Sequence, residues 1–107
     1  TYGESLRYGV EVFHALKTLL RDKHFSTGVG DEGGYAPDLQ SDEQAITLIL
    51  EAIYQAGFVP GQDIFLGLDV ASSELYQSNC YHLVASQYTR EQFCDHLVHL
   101  VDQYPII

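Results

Sequence analysis

Apolar residues recur every three or four positions in three stretches of the chain, which is the spacing of an amphipathic helix. The first stretch ends near residue 23, the second covers residues 42–56, and the third covers residues 90–103. The pattern predicts inward-facing stripes of Leu6, Val10, Phe13, Leu16 and Leu20 in the first helix, Ala45, Leu48, Ile49, Ala52 and Ile53 in the second, and Phe93, Leu97, Leu100 and Val101 in the third.

Each predicted helix opens with a hydroxyl residue followed three positions later by Glu or Gln. This is the capping-box pattern, in which the hydroxyl accepts a hydrogen bond from an unpaired backbone amide and the later side chain reaches back. The pairs are Thr1 with Glu4, Ser41 with Gln44, and Thr89 with Gln92. Gly57 is a natural C-terminal stop for the second helix, and Pro105 prevents continuation of the third.

A short apolar run, Ile-Phe-Leu-Gly-Leu-Asp-Val at residues 64–70, separates the second and third helices. Such a run predicts a strand buried on both faces, as in a parallel sheet. Helices alternating with a buried strand favour the α/β class, and Ile106 and Ile107 resemble the start of another strand. Because a closed α/β barrel needs roughly 250 residues, the pattern indicates part of a larger α/β protein.

Composition and charge narrow the function classes. The chain has 107 residues, a length that is enough for one domain at most. Its net charge is −10. From residue 24 onward, Arg90 is the only Lys or Arg among many carboxylates, so we expect no nucleic-acid partner. No apolar run is long enough to predict a transmembrane helix. Cys80 and Cys94 do not form a CxxC pair, which suits a reducing compartment; a disulfide between them stays open.

The loop after the first helix, residues 27–37, contains a GxGxxG match from Gly28 to Gly33. A dinucleotide fingerprint needs a strand before it and a helix opening at its last glycine. Here a predicted helix precedes the match and Pro37 follows it, and Asp31 and Glu32 would meet a pyrophosphate with negative charge. We therefore interpret the match as fortuitous.

Two carboxylates in that loop are candidates for acid–base chemistry. Asp31 and Glu32 are adjacent and flanked by glycines, which let a ligand approach the backbone closely. A like charge next to a carboxylate disfavours ionisation, so such a group suits a general acid. The alternative interpretation is an exposed acidic turn without chemistry.

Asp69 is a third candidate because it ends the predicted strand. Catalytic residues of α/β proteins gather at the C-terminal ends of strands, and a carboxylate there suits Mg²⁺. Equally, Asp69 could cap the turn that follows at residues 71–73. His96 and His99 share a helix face near Cys94, but a zinc site usually has four ligands in a recognisable spacing, so we do not predict one there.

Several segments together resemble enolase (phosphopyruvate hydratase). Residues 29–37, Val-Gly-Asp-Glu-Gly-Gly-Tyr-Ala-Pro, are similar to a motif of that family almost without a break. Residues 6–14 resemble the preceding helix, residues 48–57 the following helix, residues 66–76 the strand and turn with a magnesium ligand, and residues 104–106 the lead-in to the next strand. The resemblance covers the whole chain in order. Residues 77–80 depart from it, since the family usually has a charged, glycine-containing turn there.

The resemblance implies that residues 1–107 are a fragment from the start of the C-terminal (β/α)8 TIM-barrel domain. The parent would be a glycolytic lyase that reversibly dehydrates 2-phospho-D-glycerate to phosphoenolpyruvate with Mg²⁺. Glu32 would be the proton donor to the departing hydroxyl, and Asp69 one Mg²⁺ ligand. The resemblance places the lysine base, the other ligands and further substrate contacts outside the chain.

On the same basis, the isolated fragment is expected to be inactive. Because its strand and helix stripes lack the neighbours that would cover them, we also expect it to form a homo-oligomer, a dimer or a larger assembly. The implied location is cytoplasmic, with a secondary cell-surface or secreted pool. Two alternatives remain for the fragment. One is a non-catalytic binding or assembly role on a surface or in a complex, and the other is a structural remnant without activity.

Overall fold

The computed structural model describes all 107 residues as four helices and three short strands. The elements in chain order are α1 (Tyr2–Asp22), α2 (Asp42–Gln55), α3 (Ser72–Leu75), β1 (Tyr76–Gln77), β2 (Cys80–Leu83), β3 (Ser86–Tyr88) and α4 (Arg90–Gln103). The three long helices confirm the sequence prediction, with bounds that differ by no more than one residue. No helix is both long enough and apolar enough to cross a membrane.

The predicted caps form at all three long helices. Thr1 and Thr89 each make the full capping box, in which both reciprocal hydrogen bonds are present. Ser41 accepts from the backbone N–H of Gln44 at 3.1 Å, as expected. The Gln44 side chain reaches one residue further than predicted, because its Oε1 accepts from the backbone N–H of Gln40 at 2.8 Å.

The core lies between α1 and α2. Its buried members are Leu19, Leu20, Leu48 and Ala52. The predicted stripe of α1 is partly wrong, since Leu6, Val10 and Phe13 are 57%, 47% and 37% exposed. The core-facing side of α1 runs through Val12, Ala15, Leu16, Leu19 and Leu20, to one side of the predicted stripe. Nearer the N-terminus, Tyr8 makes a separate contact, since its ring lies 4.4 Å from that of Phe58 between centroids. Periodicity shows which residues share a helix face but cannot show how far a neighbouring element extends along it.

The inward faces of α2 and α4 are closer to the prediction. Leu48, Ala52, Ile53, Phe93 and Leu100 are buried as expected. Ile46 is also buried, although it was outside the predicted stripe, and Val101 is 51% exposed, so its predicted inward position is wrong.

The predicted buried parallel strand at residues 64–70 does not form. The segment makes only isolated bridges, Ile64 with Pro60 and Leu66 with Ile106. Leu66 donates its backbone N–H to the Pro105 carbonyl at 2.9 Å and accepts from the Ile107 N–H at 3.0 Å. Phe65 and Leu68 remain 47% and 43% exposed. A strand ladder needs neighbours along its length, and here residues 105–107 supply one short neighbour on one side.

The only sheet is antiparallel, in the order β1-β2-β3, and the sequence analysis missed it. Ser78 and Asn79 connect β1 to β2 with φ values of 53° and 64°, which suits a tight hairpin turn. The sheet contacts α4 through Tyr81, whose ring stacks on Phe93 with centroids 4.5 Å apart. The fold is therefore helix-rich with a small antiparallel sheet and is not a full barrel, and the expected buried parallel strand is absent.

Candidate functional site

Glu32 lies at the tip of a tight hairpin loop between α1 and α2. Val29 and Tyr35 form an antiparallel bridge across its base. The Gly33 N–H donates to the Gly30 carbonyl at 3.0 Å, so Asp31 and Glu32 are the two central residues of a turn. Gly33 has φ = 86°, a left-handed conformation that glycine adopts without steric cost. Gly33 therefore has a local structural reason that is independent of any ligand.

Tyr35 anchors this loop to α1. Its hydroxyl donates to the Phe13 carbonyl at 3.2 Å. Its ring stacks on the Phe13 ring with centroids 4.5 Å apart and planes 17° apart. Burial raises the pKa of the Tyr35 hydroxyl above its ordinary value of 10.0, so the group stays a protonated donor at neutral pH. The base of the turn is thus fixed, whereas its tip, with Asp31 and Glu32, is exposed.

Asp69 lies in an irregular segment immediately before α3. Its carboxylate is exposed and makes no hydrogen bond or ion pair with the rest of the chain. Asp69 does not cap the following turn, which was the alternative interpretation. The N-cap residue of α3 is Ala71, and no side chain caps this helix. Both carboxylate oxygens of Asp69 are therefore available to a ligand.

The two candidate carboxylates are not joined within the chain. Asp69 lies at the wall of an apolar cavity of about 230 Å³, and Glu32 does not line it. No hydrogen bond links the loop of Glu32 to the segment of Asp69. Both carboxylates are exposed to solvent, and they line no common cavity.

Mg²⁺ suits the chemistry of Asp69 but not a site made from this chain alone. The ion prefers carboxylate oxygens and is often held by one or two of them together with water and substrate phosphate. Asp69 offers one such unpaired donor. No three His, Cys, Asp or Glu residues lie close enough together to hold a metal ion. Asp69 alone thus has the donor chemistry that suits Mg²⁺, without other ligands beside it.

The histidines of α4 are engaged by carboxylates. His96 and His99 contact Asp42 and Glu43 of α2, and they form no metal-binding group with Cys94. Both cysteines are free thiols, so the disulfide that the sequence left open is absent. Sequence reasoning missed Asp42 and Glu43, because acidic residues in the first turn of a helix are ordinarily explained by the helix dipole.

Comparison with protein families decides the identity of the chain. A family model for the enolase C-terminal TIM barrel domain matches residues 1–107, the full length of the sequence. The chain belongs to the enolase family. The resemblance noted in the sequence is thereby confirmed, and the match includes both the hairpin of Glu32 and the segment of Asp69.

Membership of the enolase family explains why the helices are formed while an apolar segment stays half exposed. A TIM barrel covers each strand with neighbouring strands and an outer layer of helices. In this enolase-family chain the helices are formed, while the apolar segment at residues 64–70 is half exposed and has one short neighbour. The family points to lyase chemistry.

Proposed function

We propose that this chain is a portion of an enolase, whose parent protein reversibly dehydrates 2-phospho-D-glycerate to phosphoenolpyruvate with Mg²⁺. The observation that carries the proposal is the match of the entire chain to the enolase C-terminal domain family. The free carboxylate of Asp69 and the anchored turn of Glu32 support it, because each presents an unpaired acid on a segment with a defined backbone. Both roles rest on the family resemblance of the surrounding motifs.

Glu32 is proposed as the acid that gives a proton to the departing hydroxyl. A cation beside a carboxyl group favours its ionised form, so a carboxyl group without one is better suited to donate a proton. Glu32 is such a group, since no Lys, Arg or His pairs with it. The Tyr35 anchor holds the base of the turn, so the carboxyl is presented from a fixed backbone.

Asp69 is proposed as one of the ligands of a magnesium ion. Mg²⁺ would supply Lewis-acid stabilisation of negative charge on the substrate. The contribution of this chain is a hard oxygen donor that no internal hydrogen bond competes for. The remaining ligands, and the lysine that acts as base, are expected elsewhere in the parent protein.

Conservative substitutions in the parent enzyme test the two roles. Glu32→Gln keeps the shape and removes the proton, and we expect kcat to fall by roughly 10²–10⁴-fold. Asp69→Asn removes a charged oxygen donor, and we expect the Mg²⁺ concentration for half-maximal activity to rise. Activity is followed by the ultraviolet absorbance of phosphoenolpyruvate.

Asp38→Asn is the matched control, since Asp38 is exposed and its side chain makes no hydrogen bond. Its kinetic parameters should stay close to those of the unaltered enzyme. Near-normal kcat and Mg²⁺ dependence in both Glu32→Gln and Asp69→Asn would refute the assigned roles.

The 107-residue chain by itself is expected to be inactive, because it holds one proposed metal ligand and no lysine base in the assigned site. Purified chain incubated with 2-phospho-D-glycerate and Mg²⁺ should form no more phosphoenolpyruvate than a mock preparation. Turnover clearly above that background would contradict the assignment of the missing groups to other parts of the parent.

A second proposal is a non-catalytic binding or assembly role for the chain. The observation that favours it is the row of exposed apolar side chains along α1, namely Tyr2, Leu6, Val10 and Phe13. Single exposed apolar residues are ordinary on protein surfaces, whereas contiguous ones mark contact sites. Self-association is the form of this role that the purified chain can test.

A further inference from the structure

Two histidines of α4 reach across to the first turn of α2. His96 Nε2 lies 2.5 Å from Asp42 Oδ2, and His99 Nε2 lies 3.1 Å from Glu43 Oε1. The two histidines are three residues apart on α4 and the two acids are adjacent on α2, so the pairs run side by side. The partners are more than fifty positions apart in sequence.

Further contacts restrict both pairs. The His96 ring stacks on Tyr88 at the end of β3, with centroids 5.0 Å apart, and its side chain is only 12% exposed. The Tyr104 hydroxyl donates to Glu43 Oε2 at 3.3 Å. Burial and the neighbouring Glu43 raise the pKa of Tyr104, so this donor keeps its proton at neutral pH. Glu43 therefore receives two donors from the C-terminal end of the chain.

The apolar packing next to these pairs is incomplete. A cavity of about 230 Å³ separates α2 from α4, and its walls are almost entirely apolar. The wall residues include Ile46 and Ile49 of α2 and Phe93 and Leu97 of α4. Because this cavity is open to solvent, apolar contacts between the two helices are incomplete, and they fix the helix pair less firmly than a closely packed interface would.

Residues 68–70 lie in the same cavity wall, between the two helices. Asp42 belongs to the wall as well as to the pair with His96. The pair of Asp42 with His96 thus adjoins the space that residues 68–70 border. Any change in the spacing of α2 and α4 changes the support of that segment.

We infer that His96 and His99 are positioning residues: with Asp42 and Glu43 they form a polar clamp that fixes α4 against α2 and thereby sets the place of the Asp69 segment. The importance of that placement for chemistry rests on the proposed function. The existence of the clamp does not depend on that function. Its test therefore measures distances within the folded chain and does not measure enzyme activity.

Spin-label distances in the 107-residue chain measure the clamp directly. One label pair uses the native thiol of Cys94 on α4 and Tyr54→Cys on α2, in a Cys80→Ser background; both positions are exposed. A second pair uses Tyr54→Cys with Ser73→Cys, four residues after Asp69, with both native cysteines replaced by serine. The labelled chain is diluted with an excess of unlabelled chain, so that pulsed electron paramagnetic resonance reports the distribution of each separation within one chain.

The clamp is removed by His96→Leu with His99→Leu, and its hydrogen bonds are kept by His96→Gln with His99→Gln. In the leucine pair we expect both distance distributions to broaden about twofold, because only packing around a cavity remains. In the glutamine pair we expect the narrow distributions to return. Asp95→Leu with Asp102→Leu is the control, since these exposed side chains of α4 make no hydrogen bond.

Unchanged distributions in the leucine pair would overturn the clamp, because the apolar contacts of Phe93 and Leu100 would then suffice. Equal broadening in the glutamine and leucine pairs would overturn it too, as would broadening in the control. Far-UV circular dichroism confirms that each variant is helical. If the double leucine variant does not fold, the single variant His99→Leu replaces it, because the contact between His99 and Glu43 lies at the surface.

Discussion

His24 and Gly57 occupy the same position in the same helix-ending motif. His24 follows the C-cap of α1 with φ = 64°, and Gly57 follows the C-cap of α2 with φ = 90°. The next residue donates back into each helix, Phe25 to the Leu20 carbonyl at 2.8 Å and Phe58 to the Ile53 carbonyl at 3.1 Å. This is the Schellman arrangement, which glycine fits best because a Cβ is disfavoured in the left-handed region. The chain therefore allows the stability of a histidine and of a glycine to be compared at the same position of this motif.

We expect His24→Gly to raise the free energy of unfolding by about 1 kcal/mol, because it removes the left-handed strain of a side chain. Gly57→Ala should lower it by about 1–2 kcal/mol for the same reason. Urea denaturation followed by circular dichroism measures both changes.

His14→Gly is the matched control, since His14 lies inside α1 and glycine costs about 1 kcal/mol in a helix interior. A stability loss in His24→Gly as large as that in His14→Gly would show that the left-handed strain is not the dominant effect at position 24.

At the scale of elements, α1 is a helix of two halves. Its C-terminal half carries Leu19 and Leu20 into the core against α2. Its N-terminal half carries Leu6 and Val10, which are about half exposed. The helix is continuous because its cap and backbone hydrogen bonds are local, whereas its packing depends on the length of the neighbouring helix.

Leucine truncations in the two halves should therefore differ. Leu20 is 1% exposed, and Leu20→Ala should lower the free energy of unfolding by about 2–5 kcal/mol through lost burial and the remaining cavity. Leu6→Ala makes the same chemical change at an exposed position, and in dilute, monomeric chain its effect should stay within about 0.5 kcal/mol. Thermal denaturation of both variants provides the comparison. Similar losses would mean that the first half of α1 packs against something in solution.

At the scale of the whole molecule, little of the chain is buried. Eight of 107 residues are buried, which leaves many large apolar side chains in contact with water. Burial of apolar surface contributes roughly 25 cal/mol per Å², so these side chains favour association strongly enough to oppose the repulsion of a net charge of −10.

We therefore expect the purified chain to self-associate. Light scattering after size exclusion should give a mass above the 12.0 kDa of one chain, rising with concentration. Added salt should strengthen association, because it screens the charge repulsion. Replacing Leu6 and Val10 together by serine should weaken it if α1 is the contact. A monodisperse 12.0 kDa species with a cooperative thermal transition across the concentration range would contradict this expectation.

The local features of the fold were largely predictable. The three long helices follow from apolar periodicity, and their starts follow from the hydroxyl residues Thr1, Ser41 and Thr89. These signals act within one or two helical turns, so they are readable without tertiary information. The sheet was missed because its strands are two to four residues long and its Ser78-Asn79 turn lacks the glycine that usually marks a tight hairpin.

The candidate site divides in the same way. Glu32 and Asp69 could be singled out from the sequence, because acids beside glycines and at the end of an apolar run are local patterns. Whether two such acids share a pocket depends on elements that the local pattern does not encode, and within this chain they line no common cavity. The pairing of His96 with Asp42 was unpredictable for a related reason, since the partners approach only after α4 has docked on α2.

The sequence by itself determined the helices, their caps, the acidic charge and the family, because each depends on neighbours along the chain or on the order of the motifs. Tertiary structure alone decided which half of α1 is buried, that residues 64–70 stay half exposed, and that His96 and His99 bind the start of α2. Those outcomes depend on which surfaces are present to be covered. An apolar segment becomes a buried strand only when neighbours supply both its hydrogen bonds and its cover.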